Sequence, residues 1–291
     1  MDDKDLQYFL TRKKKLENQA IFGYIMLGIS FILWVPLGAA TYGGAVPILL
    51  AGFIGGGLIA GYASKKFKDL SHEFKSKYLI KEIEQIYPGC EYDPRKGFSS
   101  EEVYGAKILK RQDRYYSEDY MKGVYEGVAF EAADVTLEDV RHSGKHTHVV
   151  TVFQGRVYKF QFNKKFKSNI LINQPSFFDG LLGWKRVKTE SVEFNKELSV
   201  FSDNEHEAFY ILTPHFMEKL LELDRKYHNR ITFSFINNLL YIAIDTRVDT
   251  FDLKMFRHFD ESIIDDYRKQ LNDIKDFIHH LNLNNTLFIE K

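Results

Sequence analysis

The chain of 291 residues contains one cysteine and no excess charge of either sign. Because Cys90 has no second cysteine to pair with, an internal disulfide is excluded, and a single thiol is typical of a reducing compartment. The 40 basic residues equal the 40 acidic residues in number, so net charge favours neither a nucleic-acid partner nor an acidic one. Composition alone therefore leaves the class of partner open.

Motifs that would indicate an enzyme are also absent. The sequence has no G-x-x-x-x-G-K-S/T phosphate loop, no G-x-S-x-G nucleophile elbow and no H-E-x-x-H zinc motif. The glycine cluster Gly55 to Gly57 lies inside an apolar segment, so it does not predict a nucleotide-binding turn. We therefore assign no catalytic, cofactor-binding or metal residue and no cofactor, and we expect a protein that is not an enzyme.

The most informative absence is that of charge between Ala20 and Ser64, where Asp, Glu, Lys and Arg do not occur. Residues 20–40 and 45–63 are each long enough to cross a hydrocarbon core of about 30 Å as a helix. The turn TYGG lies between them. This pattern predicts a two-span transmembrane hairpin, and glycines spaced by four in the second span predict close helix packing.

Two other interpretations of the apolar stretch are a buried hairpin in a soluble core and a cleaved signal peptide. An uncharged run of this length is rare in a globular domain. The apolar region is also too long for a signal peptide, and a second span follows the first almost at once. Both interpretations are therefore less favoured than a membrane hairpin.

Basic residues flank the uncharged stretch on both sides. Before it stand Lys4, Arg12, Lys13, Lys14 and Lys15, and after it stand Lys65, Lys66, Lys68, Lys75, Lys77 and Lys81. Since an excess of Lys and Arg marks the cytoplasmic side, we expect a multi-pass protein with both termini in the cytoplasm. Anionic lipid should lie near Lys13, Lys14, Lys15, Lys65, Lys66 and Lys68, at about 1 kcal/mol for each.

These patterns divide the chain into four segments. We expect a cytoplasmic basic N-terminal segment over 1–19, the hairpin over 20–64, a juxtamembrane amphipathic helix over 65–89 that ends at Pro88-Gly89, and a cytoplasmic domain over 90–291. The predicted class is α+β, with a mixed domain of antiparallel β-hairpins and a long C-terminal helix after the membrane hairpin.

Strand patterns follow in the last segment. Residues 123–135 predict a strand that runs into a loop, and residues 187–194 predict another strand. Residues 146–162 read as a hairpin that turns at Gln154-Gly155. Residues 230–244 read as a second hairpin that turns at Asn237-Asn238, because Asn tolerates positive φ.

Helix patterns accompany these strands. The stretch SDNE (202–205) predicts a capped short helix, and Thr213-Pro214 predicts the start of a longer one. Residues 261–281 form a third, whose apolar residues recur every three or four positions: Ile264, Tyr267, Leu271, Ile274, Ile278 and Leu281. That stripe spans about three heptads, so packing on the protein's own sheet is favoured over a coiled-coil partner.

The histidine-rich stretch RHSGKHTH (141–148) is the best candidate for a metal site. His146 and His148 alternate along a predicted strand and so face one side, and His142 could join them across a turn. No cysteine or carboxylate stands at ligand spacing, so a solvated hairpin is the better interpretation.

Other polar groups have ordinary explanations. Asp203, Glu205 and Glu207 could bind a cation, but acidic residues are favoured at a helix start. Cys90 lacks an activating neighbour, and His279-His280 suit a helix C-terminus. The basic and aromatic run 155–167 could face nucleic acid or lipid headgroups, but snorkelling lysines on a hairpin explain it as well. We expect no nucleic-acid partner.

Four stretches resemble, in order, the domain of unknown function 3137 family of bacterial proteins. They are YYSEDYMKGVYEGVAFEAADV, FQGRVYKFQFNKKF, VKTESVEFNKELSVFSDNEHEAFYILTPHFMEKL and FSFINNLLYIAI, and the most specific portion runs from Glu193 to Met217. The resemblance implies a protein anchored in the bacterial cell (inner) membrane and brings no activity, cofactor or catalytic residue. Some members are associated with LemA-type membrane proteins, which implies such a partner or self-association.

Three functions compete. The first is a non-catalytic interaction or scaffold module tethered to the membrane. The second is a membrane-surface enzyme that uses Asp119, His146, His148 or the acidic groups of 203–207. The third is a lipid or ligand sensor that docks on the bilayer through Lys164, Lys165 and Lys167. We favour the first, because the sequence supplies an anchor, an orientation and a folded surface. A deep polar cleft would favour the enzyme, and a flat apolar patch would favour the scaffold.

Overall fold

The computed structural model describes residues 3–144, 146–161, 168–175, 184–248, 251, 253–259 and 261–283. Two long apolar helices come first, an antiparallel sheet with short helices follows, and a long helix comes last. The predicted α+β class is therefore confirmed. The chain divides into two compact units, Met1–Ile80 with Asp252–Ile264, and Lys81–Phe251 with Asp265–Lys291. The segment boundaries expected after residues 19, 64 and 89 stay predictions.

Two helices dominate the first unit. Helix α1, Asp3–Ala40, and helix α2, Val46–Phe74, are joined by a short turn. A π-helical turn, Lys75–Leu79, continues α2 directly into α3, Ile80–Ile86. The helical path ends just before Pro88-Gly89, where the sequence places its end, because proline and a glycine at φ 77° cannot continue a helix.

Glycines bring α1 and α2 into backbone contact. A Cβ atom on Gly23 would lie 2.7 Å from the carbonyl oxygen of Gly56, and one on Gly52 would lie 2.6 Å from Ser30 Oγ. One of the predicted glycine pairs therefore faces the other helix of the same hairpin. Around Gly61, in contrast, no heavy atom lies within 4 Å of the Cβ position.

A later segment of the chain completes the first unit. The ring of Phe259 packs 5.3 Å from the ring of Phe9 and 5.3 Å from the ring of Phe74. The rings of Phe9 and Phe74 are themselves 4.8 Å apart. This aromatic cluster fixes residues 253–259 to the N-terminal half of α1, a contact that sequence periodicity does not indicate.

Nine strands form one antiparallel sheet in the described part of the second unit. They are β1 Glu91–Asp93, β2 Arg114–Tyr125, β3 Val128–Ser143, β4 His146–Gln161, β5 Ile170–Asn173, β6 Lys185–Val187, β7 Ser199–Ser202, β8 Ile231–Ile236 and β9 Leu239–Ile244. The spatial order is β1-β2-β3-β4-β9-β8-β5-β7-β6. The meander β2-β3-β4 thus joins the later strands through β9.

Five helices accompany the sheet among the residues that the structure describes. They are α4 Ser100–Gly105, α5 Val192–Glu197, α6 Glu205–Ile211, α7 Pro214–Lys226 and α8 Glu261–His280. The predicted start of α7 is confirmed, because the Thr213 side chain accepts a hydrogen bond from the amide of Phe216. Helix α6 is also present, but its cap is Asn204, because Ser202 still belongs to β7.

Two strand predictions are wrong and one hairpin is confirmed. The stretch 123–135 contains a turn at Glu126-Gly127, with φ of 48° and 79°, which splits it between β2 and β3. In the stretch 187–194 only Val187 is in a strand, the end of β6, and the last three residues are helical because Ser191 caps α5. The turn at Asn237-Asn238 is confirmed by φ of 52° and 62° between β8 and β9.

The predicted turn at Gln154-Gly155 is also wrong. Strand β4 runs unbroken through both residues and pairs with β3, so its hairpin turn lies instead between Ser143 and His146. A Cβ atom on Gly155 would overlap the carbonyl oxygen of Ile244 and lie 2.9 Å from the amide of Thr246. Glycine is required there because the backbones approach closely, which is a known use of glycine inside strands.

Both faces of the sheet are covered. On one face the segment that contains α4 packs Val103 and Leu109 against Val135 and Phe153. On the other face the ring of Phe277 in α8 packs on β4, 5.1 Å from the Tyr158 ring. The stripe of α8 is buried accordingly, with Leu271 1% and Ile278 0% exposed. Packing of this helix on its own sheet, the favoured prediction, is confirmed.

An ionic cluster is buried within the first four strands. The Arg156 guanidinium, 2% exposed, donates through Nη1 to Asp134 Oδ1 at 2.8 Å and through Nη2 to the Asp119 carbonyl at 3.2 Å. The Tyr92 hydroxyl donates to Asp119 Oδ1 at 2.5 Å, and burial together with this carboxylate raises the pKa of Tyr92 well above its usual value. Asp119, a residue of the enzyme hypothesis, is thus part of the core.

We predict that Gly155→Ala lowers the free energy of unfolding by about 1–3 kcal/mol, because the added methyl group forces β4 and β9 apart. Urea unfolding of the full chain in mild detergent, followed by Trp184 fluorescence in a Trp34→Phe background, measures the change. Gly105→Ala is the matched control, since no heavy atom lies within 4 Å of its Cβ position. If the two variants were equally stable, the close approach of the β4 and β9 backbones at Gly155 would be contradicted.

Candidate functional site

A cleft of about 470 Å³ opens in the second unit at one end of the central strands. Strand β9 stops at Ile244, opposite Arg156, whereas β4 continues back to His146 in pairing with β3. Residues from the ends of β5 and β8 and from the segment before β2 close the other sides. A volume of this size suits a small molecule.

The floor of the cleft is apolar apart from one buried amide. Leu109, Leu137, Phe153 and Ile231 line it together with Asn173, the last residue of β5, which is 1% exposed. Neither Nδ2 nor Oδ1 of Asn173 has a hydrogen-bond partner among the described residues. Buried amides are almost always paired, so an unpartnered one among the described residues is unusual.

Further polar groups surround Asn173. Ser199, its partner in the β5-β7 register, has a buried Oγ without a partner in the described part of the chain. The Gln174 side chain lines the cleft and donates to Asp224 Oδ1 at 2.7 Å. Burial raises the pKa of the Asp224 carboxyl to about 6. A polar patch therefore lies beneath the cleft inside an otherwise apolar region.

Two arginine–carboxylate pairs stand at the cleft. Arg141 Nε donates to Asp139 Oδ2 at 2.8 Å, which lowers the pKa of the Asp139 carboxyl. Arg247 Nε lies 2.8 Å from Asp245 Oδ2. Because each carboxylate already has an arginine partner, neither is available as a general base or as an unopposed negative charge.

Two further cations at the cleft, Lys110 and Arg230, are exposed and form no ion pair with any described residue. With them the lining carries four cations against two carboxylates. The described lining includes no histidine, cysteine or serine. With its excess of positive charge, the arrangement can bind an anion.

The histidine stretch behaves as a solvated hairpin. The rings of His146 and His148 stack on one side with centroids 6.4 Å apart, so their shared face is confirmed. His142 lies opposite Thr147 in the register and contacts its Oγ1 at 3.1 Å, which directs it to the other face. Among the residues that the structure describes, no group of three His, Cys, Asp or Glu side chains could hold a metal ion.

The acidic stretch 203–207 is explained by local structure. Asp203 accepts hydrogen bonds from the amide and the Nδ2 of Asn169, both at 2.9 Å. Glu205 and Glu207 lie in the first turn of α6, where negative charge is favoured. These carboxylates do not line the cleft.

The remaining candidates are engaged elsewhere in the second unit. Cys90 is buried, and burial raises the pKa of its thiol to about 11, so it is a poor nucleophile. His279 Nε2 contacts Glu126 at 2.8 Å, and His280 Nε2 contacts Glu222 at 3.0 Å.

The described part of the basic and aromatic run, residues 155–161, points largely inward. Lys159 donates to Glu102 at 2.8 Å and to Glu131 at 3.2 Å, while Arg156 lies in the buried ionic cluster. These two cations therefore face carboxylates of the protein itself. Lys164, Lys165 and Lys167, on which the docking hypothesis rests, lie outside the described residues.

The six lysines that are expected near anionic lipid fall into two groups. Lys13 is buried at 6% exposure, and its ammonium binds Glu17 and donates to the carbonyl oxygens of Met255 at 2.7 Å and Arg257 at 2.9 Å. Lipid contact by Lys13 is thus disfavoured, because its donors are already used. The other five are exposed: Lys14, Lys15, Lys65, Lys66 and Lys68.

Sequence reasoning missed the cleft. Its lining residues are scattered from Leu109 to Arg247 and form no motif. One weak signal exists in ILIN (170–173), an apolar strand that ends in a buried amide. Only the pairing of β5 with β7 and β8 brings Asn173 to the cleft.

Residues 151–283 match the model of a family described as "Protein of unknown function (DUF3137)". The match confirms the resemblance for the three stretches that lie within residues 151–283 and covers most of the cleft, including Asn173 and Arg230, but the DUF3137 description states no activity. A solved structure, the crystal structure of the mycobacterial trehalose monomycolate transport factor A, TtfA, is similar at 9% identity and a TM-score of 0.36 over 69% of this chain and 92% of that one. No curated protein matches the chain.

We predict that Asn173→Leu raises the free energy of unfolding by about 1–3 kcal/mol, because it removes a buried unpartnered amide at similar volume. The same urea unfolding assay measures this. Asn169→Leu is the matched control and should be destabilising, since the Asn169 side chain donates to Asp203. A destabilised Asn173→Leu protein would show that the amide is satisfied within the chain.

We predict that Asp224→Asn stabilises the protein near neutral pH and has little effect below about pH 4. The folded protein holds the pKa of this carboxyl at about 6, above its usual 3.8, so the folded state binds the proton more tightly. Wild-type stability should fall by roughly 2–3 kcal/mol as pH rises through this window. Urea unfolding across the window measures it, and a variant with the same pH slope as the wild type would contradict the assignment.

Proposed function

We propose that this protein is a membrane-anchored binding module and not an enzyme. Helices α1 and α2 cross the cell membrane as a hairpin, both termini lie in the cytoplasm, and the second unit binds its ligand or partner there. The observation that carries the proposal is the exposure of large apolar side chains on an uncharged helical hairpin.

That exposure argues against a soluble core. Only 17% of the most apolar 18-residue stretch is buried in the first helix, and only 22% of the corresponding stretch in the second. Side chains such as Phe31, Val35 and Ile48 are 73%, 75% and 76% exposed. A helix in the core of a soluble protein would bury these side chains against other residues. The hydrocarbon core of a membrane removes them from water with the same gain in free energy.

The basic flanks support the orientation. Lysines stand at the two ends of the hairpin that lie away from the turn, and the turn 41–45 has no charge. The positive-inside rule then places both tails on the cytoplasmic side. Lys14, Lys15, Lys65, Lys66 and Lys68 would contact anionic headgroups, while Lys13 serves the packing of the first unit.

A partner within the membrane would use the outward side of the hairpin. The α8 stripe is covered by the protein's own sheet, so it cannot recruit a helix without unfolding. The Cβ positions of Gly28 and Gly61 have no heavy atom within 4 Å, which leaves room for the backbone of another span. A LemA-type membrane protein or a second copy of this chain would fit there.

We predict that, in a Cys90→Ser background, a cysteine at Thr41 reacts with a membrane-impermeant thiol reagent on intact cells and a cysteine at Ser76 does not. Both positions are exposed in the structure, so a difference between them reports sidedness and not burial. Labelling after permeabilisation is the control and should modify both. Labelling of position 76 alone on intact cells would invert the proposed topology.

A further inference from the structure

We propose that the cleft in the second unit is a binding site for a small organic phosphate. The phosphate group would lie at the rim beside Lys110 and Arg230, and the body of the molecule would reach down the apolar walls to Asn173. This inference rests on the proposed binding function and adds the chemical class of the ligand.

The rim favours a doubly charged anion. Arg141 and Arg247 already neutralise the two carboxylates of the lining, so the remaining positive charge belongs to Lys110 and Arg230. A phosphate monoester carries close to two negative charges at neutral pH and offers three acceptor oxygens, so it can satisfy both cations at once. A carboxylate would neutralise only one of them.

The floor favours an organic body over a free ion. Its side chains are apolar and almost fully buried, and they would cover carbon atoms of a ligand. The Asn173 amide offers two donors and an acceptor, so it can pair with a group that both donates and accepts, such as the edge of a nucleobase or an amide. Pairing of β5 with β7 and β8 holds that amide in place before any ligand arrives.

The test uses the full chain in nanodiscs of neutral phosphatidylcholine, so that no anionic lipid competes. Inorganic phosphate at about 10 mM should raise the melting temperature above that in chloride of equal ionic strength, by mass action on the folded state. Phosphorus NMR should then show that AMP or soluble dihexanoyl phosphatidic acid binds at least about tenfold more tightly than inorganic phosphate. Adenosine, which lacks the phosphate, should not bind detectably.

Substitutions test the cationic rim and the floor of the cleft separately. Arg230→Gln should weaken every phosphate probe by about tenfold, whereas Arg186→Gln, an exposed arginine outside the cleft, should leave binding unchanged. Asn173→Leu should weaken the organic phosphates alone. The probe that binds more tightly identifies the source of the phosphate group. Tighter binding of AMP indicates a soluble nucleotide, and tighter binding of the phosphatidic acid indicates a lipid headgroup.

Each of the following results would refute one part of the proposal. The phosphate site would be refuted if inorganic phosphate did not raise the melting temperature. It would also be refuted if Arg230→Gln and Arg186→Gln lost the same amount of phosphate affinity. The proposed contact with the floor of the cleft would be refuted if organic phosphates bound no better than inorganic phosphate. It would also be refuted if Asn173→Leu left the binding of organic phosphates unchanged. Release of free phosphate from AMP in the NMR spectra would keep the site and refute the non-enzymatic function.

Discussion

The second unit depends on one buried guanidinium. Arg156 neutralises Asp134 on the neighbouring strand, donates to the carbonyl of Asp119 on the strand beyond, and packs 4.4 Å from the ring of Phe251. Burying an unpaired charge costs several kcal/mol, so each partner is stable only in the presence of the other. The cluster thereby fixes the register of β2, β3 and β4, and through Tyr92 it also holds β1.

The cleft is a consequence of that register. Strand β9 ends at Ile244, opposite Arg156, while β3 and β4 extend beyond it. The ends of β5 and β8 lie at the same cleft as the overhanging strands, and its lining includes Asn173, Lys110 and Arg230. A structural ion pair therefore places a binding surface to which it contributes no side chain of its own.

Local signals predicted much of the architecture. Thr213-Pro214 and Asn237-Asn238 were read correctly because a cap and a positive-φ turn depend on two to four adjacent residues. The stripe of α8 was also read correctly, since helical periodicity is a property of one segment. Gly155 was misread as a turn, because glycine indicates either a turn or a close approach and the approaching strand lies far along the chain.

The sequence by itself determined the uncharged helical hairpin, the helix caps, the Asn-Asn turn and the apolar face of α8. Each of these follows from the spacing of neighbouring residues or from the length of an apolar run. Only the tertiary structure decided that β4 is unbroken, that Lys13 is buried, and that Asn173, Lys110 and Arg230 meet at one cleft. Those outcomes depend on contacts between distant segments, whose free energies are set by burial and pairing and are not encoded in any local pattern.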